Sequence, residues 1–133
     1  MSAPRLASLA YAEEFVPDND VTEAARWNGR ELGATPIGPG TGATLRLLAA
    51  TGAARSVIEI GTGCGSSGLW LLSGMPADGV LTTIDIEAEH SRAAKAAFAE
   101  AGIAHQRTRV ITGAAGAVLP RMTDGAYDLV FID

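Results

Sequence analysis

Two hydrophobic rhythms divide the chain at Gly52. Before it, apolar residues recur at helical spacing; after it, they gather into short, nearly continuous runs. In residues 6–16, apolar positions fall at Leu6, Leu9, Ala10 and Ala12, with Glu13 and Glu14 outside that set. That pattern predicts a short helix, broken by Pro17-Asp18-Asn19-Asp20. A second helix, capped by Asp20 or Thr22, runs to about residue 32 and ends at Gly33. Residues 34–42 carry Pro36, Gly38, Pro39, Gly40 and Gly42, so they read as a loop placed to cross the face of a site. A third helix over 41–51 is stopped by Gly52.

Beyond Gly52, residues 57–60, 81–85, 110–112 and 127–133 are β-rich apolar runs. Runs of this kind suit parallel strands covered on both faces. Helical segments lie between them, at about 67–75, 87–101 and 114–122. In the second of these, Glu89, Arg92, Lys95 and Glu100 mark an exposed face, and Ala93, Ala97 and Phe98 pack inward. Strands alternating with helices predict an α/β fold: a doubly wound, Rossmann-like parallel sheet preceded by N-terminal helices. The expected division is 1–52 for the helices and covering loop and 53–133 for the first half of the core, all within one domain. With strand order 3-2-1-4, the fourth strand is a raw edge. Its apolar run Leu129-Val130-Phe131-Ile132 lacks a neighbour, so the core is expected to be incomplete at its C-terminus and the chain to dimerise.

Composition narrows the function classes. The chain has 133 residues, 47% hydrophobic and 19% charged, with a net charge of −5. Lys and Arg are not clustered, which argues against nucleic acid as a partner. No apolar run reaches the ~18 residues of a membrane span, and no secretory h-region opens the chain. A cytoplasmic location is therefore expected. Cys64 is the single cysteine, which leaves no intrachain disulfide and no thiolate metal cluster. Cys64 reads as a small loop filler, His90 and His105 as solvated, and Trp27 and Trp70 as packing residues.

Candidate chemistry gathers where the sixteen glycines cluster. Ile60 ends the first strand, and Gly61-Thr62-Gly63-Cys64-Gly65-Ser66-Ser67-Gly68 follows. Read from Gly63, this matches G-x-G-x-x-G: a tight turn that lets the backbone approach a ligand at a helix N-terminus. Alone the match is weak, since glycines also serve a plain strand-to-helix turn. Glu59 sharpens it. A carboxylate beside this turn repels a pyrophosphate, whereas S-adenosylmethionine offers a sulfonium and an α-ammonium to the acid and a carboxylate to the helix. Asp85 ends the second strand, where a carboxylate accepts ribose hydroxyls or else caps the helix near Glu87. Gly113-Ala114-Ala115 after the third strand leaves room for an adenine edge.

Four segments in order resemble the metal-dependent O-methyltransferases of the catechol and caffeoyl-CoA type, over about residues 34–133. They are 57–67, 83–87, 113–120 with Gly113-Ala114-Ala115 and Leu119-Pro120, and 127–133. The resemblance implies a class I methyltransferase core with S-adenosylmethionine as cofactor. Glu59, Gly61, Thr62, Gly63 and Ser67 would line its methionine end, and Ile37 would close over it. Asp85 would hold the ribose and Ala114 would meet adenine. Asp133 matches the family's first metal-binding aspartate, beside the cofactor. The implied metal is divalent, most often Mg²⁺, and the implied substrate is a small, catechol-like hydroxyl acceptor. The family's further metal ligands and its base do not fall within these 133 residues, so this form is expected to be inactive.

Two other classes compete with the enzyme reading. One is a non-catalytic cofactor-binding or assembly module on the same fold. The other is an NAD-dependent oxidoreductase, which Glu59 disfavours.

Overall fold

A computed structural model describes residues 3–133. Three helices come first: α1 (Ala3–Phe15), α2 (Asp20–Glu31) and α3 (Pro39–Thr51). The sheet follows as β1 (Ser56–Ile60), α4 (Ser66–Gly74), β2 (Val80–Asp85), α5 (Ala88–Glu100), β3 (Thr108–Thr112), α6 (Ala115–Val118) and β4 (Leu129–Ile132). Single 3-10 turns precede β3 and follow α6.

The four strands are parallel, in the order β3-β2-β1-β4. This is the doubly wound arrangement that the alternation of elements predicts. Coverage of the sheet is unequal, contrary to the expectation of two covered faces. One face carries the main core, where Val57 and Leu81 meet Leu45, Ala49, Leu71, Leu72 and Phe98. Ala25 of α2 and Leu45 of α3 belong to that same core, so the N-terminal helices and the sheet are one packing unit. The other face holds a smaller buried hydrophobic cluster, Ile58, Ile84 and Val118, flanked by Ile111, Met122 and Tyr127. Val130 and Ile132 stay exposed along β4.

Several boundaries differ from the sequence reading for local reasons. Asn19, not Asp20 or Thr22, caps α2: its side chain accepts from Val21 and Thr22 N–H, and Thr22 Oγ1 closes the box by accepting from Asn19 N–H. The loop expected over 34–42 is shorter, because Pro39 starts α3 and Glu13 Oε2 accepts from Gly40 N–H at 3.2 Å. Proline at a first helical position loses no hydrogen bond. At the other end of α3, Ala53 rather than Gly52 takes the left-handed conformation, with φ 45°. The helix expected over 114–122 breaks into α6 and a 3-10 turn at Pro120. Trp70 is buried, as expected of a packing residue, but Trp27 is 61% exposed and packs into no core. In α5 the inward alanines are Ala94 and Ala97, while Ala93 is only half-buried. No described helix is long and apolar enough to cross a membrane.

Candidate functional site

The C-terminal ends of all four strands open into one trough. Parallel sheets bind ligands at this edge, where the chain leaves each strand and neighbouring connections diverge. One hollow, of about 300 Å³, is bounded by residues 34–37 on one side and the β1–α4 turn on the other. Its lining includes Ile37, Gly61, Thr62, Gly63, Ser67, Asp85 and Asp133. A second, of about 280 Å³, shares Gly61, Asp85 and Asp133 with the first and continues to Gly113, Ala114 and Ala115. Eight of the nine residues singled out in the sequence therefore sit on one continuous surface.

The β1–α4 turn is built on left-handed backbone. Gly61 has φ 97°, and a Cβ there would stand 3.2 Å from the Asp133 carbonyl oxygen. Gly65, at φ 95°, is the N-cap of α4 and brings no side chain to cap it. The first-turn N–H groups of α4 therefore lack a side-chain acceptor. Ser66 Oγ is buried, lines the first hollow and has no hydrogen-bond partner. A buried hydroxyl without a partner is costly, and an anionic ligand group at this helix end would relieve it.

Asp85 organises the turn from the neighbouring strand. Its Oδ2 accepts from Gly63 N–H at 2.8 Å and its Oδ1 from Glu87 N–H at 2.9 Å. Two acceptor positions remain on the carboxylate. His90, read as solvated, instead belongs to the trough. Its Nε2 lies 3.0 Å from the Leu32 carbonyl oxygen, and its Nδ1 is 3.7 Å from Asp85 Oδ2. The spacing from Asp85 held the signal: His90 is one turn into α5, on the side facing the strand end. His105 is exposed, as expected.

Glu59 is the exception among the nine. It is fully buried and lies behind the trough rather than on its wall. Ser67 Oγ donates to its Oε2 at 2.9 Å and Thr83 Oγ1 to its Oε1 at 2.8 Å. Burial pushes its carboxyl up to about 7; the two hydroxyls oppose that, while Asp133 and Asp85 add to it. The repulsion of a pyrophosphate expected from Glu59 is correspondingly weakened, because near neutral pH much of the group is uncharged. Cys64 is buried, and its thiol is raised by burial and by Asp85 and Glu89, so it is a poor nucleophile.

Asp133 is exposed at the mouth shared by both hollows. Among the described residues no three His, Cys, Asp or Glu side chains converge. One carboxylate does not fit a divalent ion, which needs six or more oxygen ligands. A larger hollow, of about 890 Å³, lies between α1 and α3 beside Tyr11, Phe15 and Leu47, away from every strand end.

Comparisons with known proteins agree with this geometry. The O-methyltransferase family model matches residues 18–133. A protein of Mycobacteroides abscessus, assigned only provisionally as an O-methyltransferase, is 52% identical over 131 residues, covering 98% of this chain and 61% of its own. The O-methyltransferase TomG of Streptomyces achromogenes, involved in tomaymycin synthesis and solved with S-adenosylmethionine, superposes with a TM-score of 0.86 at 31% identity. That match covers 100% of this chain and 62% of TomG. An O-methyltransferase of Bacillus cereus, solved with S-adenosylhomocysteine, gives 0.84 at 26% identity, covering 96% and 60%. The chain thus spans about three fifths of the length of these relatives. With the family model matched from α2 to the end of β4, the chain belongs to the O-methyltransferase family.

Proposed function

We propose that the trough binds S-adenosylmethionine and that the protein acts in methyl transfer to a hydroxyl of a small acceptor. The observation that carries this reading is the unpartnered Ser66 hydroxyl at an uncapped helix N-terminus, in a hollow continuous with Asp85 and Ala114. The methionine carboxylate would take the Ser66 hydroxyl and the free α4 N–H groups. Ribose hydroxyls would use the two remaining acceptor positions of Asp85. The adenine edge would reach the small residues at Ala114, and Ile37 would lie over the methionine end. The cofactor, when bound, supplies an electrophilic methyl group; the chain's residues orient it and keep water from it. Complexes of TomG and the Bacillus cereus enzyme with the cofactor or its product support the assignment by analogy.

Calorimetric titration with S-adenosylhomocysteine and with NAD separates this reading from an oxidoreductase. Binding of the first alone is expected. Binding of NAD alone would overturn the methyltransferase reading.

A catechol-like acceptor and a divalent ion, Mg²⁺ first, belong to the same proposal for a form as long as the relatives. Asp133 would be one ligand there, and no step through an ion is derived from the residues present. Such a form is expected to methylate a catechol with Mg²⁺ and to lose that activity in a chelator, while the 133-residue chain is expected to be inactive. Undiminished activity in the chelator would refute metal dependence and leave cofactor binding standing. Cytoplasmic location and a homodimer complete the proposal.

A further inference from the structure

Glu59 has no surface in the trough, yet hydroxyls join it to the wall. Ser67 Oγ lies 2.9 Å from Glu59 Oε2, and Thr83 Oγ1 lies 2.8 Å from Oε1. Thr83 Oγ1 is in turn 2.7 Å from Thr62 Oγ1. Ser67 and Thr62 line the hollow; Glu59 and Thr83 stand behind them.

Each hydroxyl has one proton to donate. With Glu59 ionised, Ser67 and Thr83 donate to the carboxylate, and Thr62 donates to Thr83. Both wall hydroxyls then offer only lone pairs outward. With Glu59 protonated, one carboxyl oxygen becomes a donor. A proton on Oε1 is given to Thr83, Thr83 turns to donate to Thr62, and the Thr62 proton is freed for the hollow. A proton on Oε2 frees the Ser67 proton instead. In both cases one wall hydroxyl changes from acceptor to donor, and the bond count within the chain is unchanged.

We propose that Glu59 is a positioning residue that sets the polarity of the wall through Ser67, Thr83 and Thr62, so that binding a cationic ligand group expels the Glu59 proton. The inference rests on the S-adenosylmethionine reading, whose ligand carries an α-ammonium and a sulfonium. The geometry gives the switch its direction, and burial places it near neutral pH. The other ionisable groups acting on Glu59 are Asp85 at the end of β2 and Asp133 after β4. Neither hydrogen-bonds to it. The segments SSGLWLLSG of α4 and LVFI of β4 contain no ionisable side chain. His90 stands beyond Asp85, with its Nδ1 3.7 Å from Asp85 Oδ2. The test removes Glu59 specifically and leaves His90 in place.

The ligand-free chain, carboxyl-labelled with carbon-13 at glutamate, is followed by NMR across pH. A resonance missing from Glu59→Gln should titrate near neutrality; titration below pH 5 would overturn the proposal. Calorimetry with S-adenosylmethionine at pH 6 and pH 8, in buffers of different ionisation heat, should show about tenfold tighter binding at pH 8. Heat from proton release should appear at pH 6. Glu59→Gln keeps an uncharged amide with its N–H donors at all pH, and should bind no more tightly than the unchanged chain at pH 6, at both values. Thr83→Val, which removes one stabilising donor and the link to Thr62, should move the transition to higher pH. A flat profile in the unchanged chain, or an unaltered pH dependence in Glu59→Gln, would overturn the switch while sparing the ligand reading. Failure to bind S-adenosylmethionine at any pH would overturn both.

Discussion

Asp85 shows how one side chain joins fold and ligand. Its two oxygens already hold Gly63 and Glu87 N–H groups, so the turn that lines the trough depends on it. Asp85→Ala is expected to weaken S-adenosylhomocysteine binding by about 1.5–3 kcal/mol, read by calorimetry. An unchanged affinity would remove Asp85 from the ligand's contacts. Glu59 makes a separate prediction about stability. Its folded-state carboxyl is raised from 4.5 to about 7, so the neutral form is the one the fold favours. The stabilisation is complete below the unfolded value of 4.5 and is lost as pH rises through about 7. Urea melts across that window should show the unchanged chain losing on the order of 3 kcal/mol relative to Glu59→Gln. Parallel stability profiles would show that Glu59 is ionised throughout. Sequence pattern placed Glu59 at a strand end next to the glycine turn, but a strand-end acid reads as solvent-facing or ligand-facing. Its burial comes from Ser67 and Thr83, which lie on other elements and become neighbours only when the strands pair.

At the scale of elements, α3 and α4 form the tightest junction beside the site. A Cβ on Gly42 would run into the Trp70 indole, and one on Gly74 would run into the Arg46 backbone. Backbone cannot swing aside as a side chain does. Gly74→Ala is therefore expected to destabilise the chain by about 1–3 kcal/mol in denaturant melts, without shifting ligand affinity at the far end of α4. A neutral Gly74→Ala would mean that the two helices separate easily. Neither close approach is legible in the sequence, where Gly42 reads as loop and Gly74 falls inside the helix expected over 67–75. The strands and their order were legible, because continuous apolar runs and intervening helices leave few topologies open. Helix ends were less so. Asn19 caps α2 where Asp20 and Thr22 are equally plausible neighbours, and Pro39 starts α3 two residues before the expected start at residue 41.

For the whole molecule, β4 pairs with β1 on one side only, and its exposed Val130 and Ile132 stand 59% and 73% accessible. Helix α1 buries no residue and leaves Leu6, Leu9, Tyr11 and Phe15 open. An unpaired edge and an apolar helix on one small molecule favour self-association. Light scattering on this chain is expected to give a dimer or larger species; a stable monomer at high concentration would show that these surfaces are tolerated in water. The trough itself was largely legible, since glycines, a strand-end acid and small residues recur at the ends of successive strands. Two of its members escaped the sequence reading: Ser66 passed as part of the glycine turn, and His90 meets the carbonyl of Leu32, which follows the distant α2. The central claim is that one ligand spans both hollows. An amide NMR titration with S-adenosylhomocysteine tests it most directly: shifts are expected together at Gly63, Ser66 and Ser67 and at Ala114 and Ala115. Shifts confined to the hollow between α1 and α3, or to one end of the trough, would contradict it.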